Sequence, residues 1–155
     1  MIPPHSADHT SHPYLRAATA GVRHHTRSLT AQVRTADRAH LDVLHAHLTA
    51  LHQLLDQLAT ITRPPHPAAG RHLTAAHIRL WQAATAVHDA FHTLPAAHDD
   101  AADADTECHP ERLPEGPPVL TICQRHLASS HAIRRTTTPT DLNAPLHGHT
   151  TTGTT

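Results

Sequence analysis

Aromatic side chains are nearly missing from this 155-residue chain, which holds one Trp, one Tyr and one Phe. Bulk for a core must therefore come from Leu, Ile and Val, and few aromatic platforms are left on which single-stranded nucleic acid could stack. Lysine is absent, so all 12 basic residues are Arg, set against 13 Asp and Glu. A net charge of −1 supplies no basic field, and nucleic-acid binding is not expected. Two cysteines, Cys108 and Cys123, cannot staple a disulfide-dense fold. Five glycines form no P-loop and no dinucleotide fingerprint. No apolar run approaches the roughly 20 residues that span a membrane. The opening MIPPHSADHTSHPYL lacks a basic segment followed by an apolar one. A cytoplasmic location with reduced thiols is the expectation.

In place of the missing types stand 20 His and 13 Pro, with abundant Ala and Thr. Full protonation of the histidines would carry the net charge from −1 to +19. Association and solubility are therefore expected to change steeply just below neutral pH. Hydrophobic spacing divides the chain. Residues 1–12 read as disordered, 13–95 as a helical bundle core, and 96–118 as a flexible linker with seven acidic residues, one Arg and four Pro. Residues 119–135 read as a short helix and 136–155 as a disordered, Thr-rich tail. Within the core, helices are expected over 14–34, 36–62 and 70–94. Thr35 or Asp37 is placed to cap the second, and Arg63-Pro64-Pro65-His66-Pro67 to end it. The short connection over 62–71 makes the second and third helices antiparallel neighbours. The fold class is thus all-α, an antiparallel helical hairpin extended to a three- or four-helix bundle.

The second helix carries the clearest pattern. Leu41, Leu44, Leu48, Leu51, Leu55 and Leu58 alternate spacings of three and four, an a/d seam over about three heptads. His40 and His47 fall at g and His45 and His52 at e, where rings can cover the seam's edges and keep a nitrogen in water. His77, Trp81 and His88 make a similar border on the third helix. Such a seam invites a homodimer or another protein partner. The function this favours is a non-catalytic helical interaction or oligomerisation module, sensitive to pH through its histidines.

The alternative is a divalent-metal-binding bundle. His88-Asp89-Ala90-Phe91-His92 places two imidazoles at i and i+4 on one helix face, where they can share Zn, Ni or Cu. The spacing matches that of zinc proteases, but Asp89 stands where their Glu base would be, and no third ligand follows at a family spacing. A histidine of the second helix could complete a site between helices. Cys108-His109 with Cys123-x-x-His126 forms a weaker Cys₂His₂ candidate, against the plainer reading of Cys123 as a buried, inert thiol. His147-Gly148-His149 could take Cu or Ni in the tail. Ser28, Ser129 and Ser130 lack the strand–turn–helix setting of a hydrolase nucleophile, and no enzyme is expected.

The strings LDVLHAHLTALHQLLDQLA and RHLTAAHIRLWQAATAVHDAFH resemble a family of small, functionally uncharacterised actinobacterial proteins over residues 14–94. The resemblance implies a helical fold and no activity. His88 and His92 are more distantly similar to the paired histidines of DinB-like metal-binding four-helix bundles. That likeness implies His47 or His52 as the third ligand.

Overall fold

Local chemistry sets the ends of each helix. The computed structural model describes residues 11–32, 35–96 and 119–137. They form α1 (Pro13–Gln32), α2 (Arg38–Thr62), α3 (Pro67–Thr93) and α4 (Ile122–Thr136), with no strand among the described residues. The segments expected to be disordered lie almost wholly outside them. None of the four helices is long and apolar enough to cross a membrane.

The chain divides into two compact units, Met1–Ala36 and Asp37–Thr155, a division that falls inside the 13–95 span. In the first, α1 opens with Pro13, whose missing N–H costs nothing in a first turn. Thr19, Thr26, Ser28 and Thr30 each donate a hydroxyl to the carbonyl four residues back. None of its residues is buried.

In the second unit, Asp37 caps α2 by accepting the His40 N–H at 2.7 Å. Pro64 and Pro65 then close the chain back on itself, with the His66 N–H donated to the Thr62 carbonyl at 2.9 Å. Pro67 begins α3 three residues before the expected start at residue 70, because proline at the first helical position is preorganised rather than disruptive. Gly70 is no breaker. A Cβ there would lie 2.7 Å from Arg63 Cα, so glycine lets the first turn of α3 rest on the end of α2. α4 starts after Thr121, whose hydroxyl accepts the Gln124 N–H while the Gln124 side chain accepts the Thr121 N–H, a capping box. Arg134 and Arg135 occupy its last turn, where they complement the helix dipole.

α2 and α3 pack as the expected hairpin, and α4 lies against both. What fills the centre differs from the expectation. Buried apolar side chains are Ala59, Ile78, Ala84, Ile122 and Ile133, while His45, Thr49, His52, His77, Ser129 and Ser130 are buried polar ones. On α2 the buried line runs through His45, Thr49, His52 and Ala59. At about 100° per residue, the leucine seam lies roughly a quarter turn to one side of that line. Leu41, Leu48, Leu51, Leu55 and Leu58 are half-buried and Leu44 is exposed. The imidazoles at e are therefore interior, not edge covers with a wet nitrogen.

Candidate metal centre

Histidines four apart on one helix face lie one above the other. Near the C-terminal end of α3, the rings of His88 and His92 stand 4.6 Å apart at 66°. The Cys123 thiol arrives in the first turn of α4. Two features set its position: the capping box that starts α4, and Arg125, which reaches across to α2. Arg125 Nη2 donates to the Asp42 carbonyl at 3.0 Å and forms an ion pair with the Asp42 carboxylate, while Nη1 holds the Leu120 carbonyl at 2.7 Å.

One ligand atom each from His88, His92 and Cys123 lies within 4.8 Å of the others, the one such group of three among the described residues. With metal–nitrogen bonds of about 2.0 Å and a metal–sulfur bond of about 2.3 Å, a tetrahedral ion separates nitrogen and sulfur donors by about 3.5 Å. His92 Nε2 and Cys123 Sγ are 3.3 Å apart. Asp89 Oδ1 accepts from His88 Nδ1 at 3.3 Å, which leaves Nε2 carrying the lone pair, the usual carboxylate support of a metal-ligating imidazole. His92 is exposed and Cys123 half-buried, so a fourth coordination position would face solvent.

Two further imidazoles lie behind His88. The His126 ring stacks on it at 4.3 Å and 16°. Lone pairs lie in the ring plane, so nearly parallel rings do not aim at one ion, and His126 supports His88 instead of ligating with it. His45 sits 5.9 Å from the His126 ring and 6.3 Å from that of His88. It is fully buried, and neither of its ring nitrogens is hydrogen-bonded among the described residues. Burial first, then the Arg125 charge and the neighbouring His126 and His88, lowers its pKa from 6.5 to about 4, against the opposing pull of Asp42. Burial also lowers the pKa of His126, helped by His88 and opposed by Asp89.

The predicted ligands divide. His88 and His92 come together as expected, but His47 and His52 do not join them. The hairpin register decides this. His52 lies opposite His77, so the α2 residue that reaches His88 is His45. His47 is two residues on, about 200° around the helix and on its far side. His52 is committed elsewhere. The His52 and His77 rings stack at 3.9 Å and 12°, each Nδ1 donating to the other residue's carbonyl at 3.1 and 2.9 Å. Asp56 Oδ1 lies 3.8 Å from His77 Nε2. Burial lowers the His52 pKa.

Cys123 is half-buried with its Sγ beside His92 Nε2, so it is not the fully buried thiol of the plainer reading. Cys108, His109, His147 and His149 lie outside the described residues. Spacing along the chain pairs Cys123 with His126, and His88 with His92. Spacing does not join the two pairs, since nothing local to either specifies where α4 docks.

A family model described as "Family of unknown function (DUF6238)" matches residues 1–152. No curated protein and no solved structure matches the chain.

Proposed function

The chain belongs to this family of unknown function, and from its side-chain geometry we propose that it is a transition-metal-binding helical protein. His88, His92 and Cys123 are the protein ligands, with a fourth position open to water or another donor. The convergence of two imidazoles from α3 and a thiol from α4 within 4.8 Å carries the reading. Two nitrogens and a thiolate suit Zn(II) first, with Ni(II) and Cu as competitors. The thiol must be reduced to ligate, which agrees with the cytoplasmic location we propose.

Tag-free protein tests this directly, since an affinity tag would add its own imidazoles. One equivalent of Zn per chain is expected by elemental analysis and titration calorimetry. Co(II) substitution should give a thiolate charge-transfer band that disappears in Cys123→Ala. His92→Ala should abolish stoichiometric binding, and Asp89→Asn should weaken it about tenfold or more through loss of support for His88. Binding that is unchanged in both His92→Ala and Cys123→Ala would overturn the assignment.

Self-association is a second reading, supported by the outward face of α2. Val43 is 72% exposed and Ile61 66%, and they share one side of the helix, with Leu44 at 38% beside Val43. Exposed apolar side chains aligned in this way favour burial against another surface.

A further inference from the structure

We infer that metal at His88, His92 and Cys123 acts as the latch of α4, so that occupancy of the site sets whether α4 is docked on the α2–α3 hairpin. The inference rests on the metal-binding reading and adds a regulatory consequence to it.

Docking of α4 is poorly supported by packing alone. At 15 residues it has about the length at which isolated helices are marginal in water. A connection of 28 residues separates it from α3, so its return to the hairpin carries a loop-closure cost. Its buried apolar side chains are Ile122 and Ile133, whereas Leu127 is 58% exposed. The rest of its docked face is polar: Ser129 and Ser130 are buried beside them. Ser129 Oγ, His126 Nδ1 and Arg125 Nε are buried without a hydrogen-bond partner among the described residues, as are both nitrogens of His45 across the interface. Each such atom gives up water and gains nothing in return. The Arg125 contacts to Asp42 work in the other direction. The balance is one that a single added bond can tip.

The ligand set supplies that bond. It is divided between helices, two ligands on α3 and one on α4, and Cys123 Sγ already sits 3.3 Å from His92 Nε2. An ion that engages all three binds only the docked arrangement, whereas the undocked chain offers it the α3 pair alone. Ligand that bound the docked state alone would shift the equilibrium by the factor 1 + [L]/Kd, about 100-fold at a free ion concentration of 100 Kd, and binding to the α3 pair of the undocked chain lowers that factor. By the same linkage the docked form holds the ion more tightly. Release of α4 would also take Arg125 and His126 away from His45.

Hydrogen exchange on the full-length, untagged chain tests the latch, in a Cys108→Ser background so that Cys123 is the sole thiol. One equivalent of Zn is compared with chelator. Zn should slow exchange in the backbone amides of α4 tenfold or more while leaving the middle of α2 and α3 unchanged. The gain should vanish in Cys123→Ala, and also in His92→Ala, which serves as the second variant should the first fail to fold. Circular dichroism checks that each variant keeps its hairpin helices. Stoichiometric Zn binding with no change in α4 exchange would overturn the latch and leave the metal site standing. An equal gain in Cys123→Ala would overturn the latch and, with it, the place of Cys123 among the ligands. Absence of Zn binding by calorimetry would remove the metal reading, and the latch with it.

Discussion

A buried imidazole must give up water at both ring nitrogens, and His45 does so with no hydrogen bond to either among the described residues. Its pKa of about 4 follows from that burial and from the Arg125 charge beside it. In the unfolded chain the ring returns to the ordinary value near 6.5, so below that pH the unfolded state takes up the proton first. The contribution to stability is complete above about pH 6.5 and is lost as the pH falls through the folded value near 4. At about 1.4 kcal/mol per unit, His45 accounts for roughly 3 kcal/mol over that window. His52, also lowered by burial, acts in the same direction. Metal-free protein should therefore lose stability from pH 7 to pH 4, measured by urea unfolding at fixed ionic strength. His45→Leu should flatten this dependence and raise stability at pH 5, because removing a polar group with no partner is neutral or favourable. A variant less stable than the parent at pH 5 would overturn this account of the buried ring.

Helix ends are where sequence chemistry acts most directly, and glycine shows how far that reaches. Gly21 in α1 has open space around it, and Gly70 in α3 faces the Arg63 backbone. Gly21→Ala should stabilise its helix by about 0.5–1 kcal/mol. Gly70→Ala should instead destabilise the second unit by about 1–3 kcal/mol, since the added methyl forces the α2–α3 corner apart. Thermal unfolding followed by circular dichroism separates the two signs. Both residues look alike as letters in a helical pattern. Asp37 and Pro64-Pro65 were readable because a cap and a breaker act within four residues. The early start of α3 was less so, since Pro67 and Gly70 both pass for breakers until the close approach of Arg63 is known.

At the scale of the molecule, the second unit has a thin apolar interior, with two alanines and three isoleucines as its fully buried hydrophobic side chains. Stacked and reciprocally bonded imidazoles complete it: His52 and His77 tie α2 to α3 through each other's carbonyls. An interior so short of apolar bulk has reason to add burial by association. If the outward face of α2 meets a second copy, sedimentation should show a concentration-dependent dimer. Val43→Asp should weaken it without unfolding the chain, given that Val43 is 72% exposed. A single monomeric species at tens of micromolar would sink self-association and leave the metal centre untouched.

The sequence by itself determined the helical class, the hairpin of α2 and α3, a cap for α2 at Thr35 or Asp37, the arginines that end α4, and the pairing of His88 with His92. Each is a relation among residues a few positions apart, which helix geometry converts into shared faces. Only the tertiary structure decided that His45, and neither His47 nor His52, stands behind His88, that His52 belongs to His77, and that Cys123 closes on His92. Those meetings depend on the register of two antiparallel helices and on where a third returns across a long connection. A shift of one residue turns a side chain by about 100° around its helix, and no short-range pattern fixes that shift.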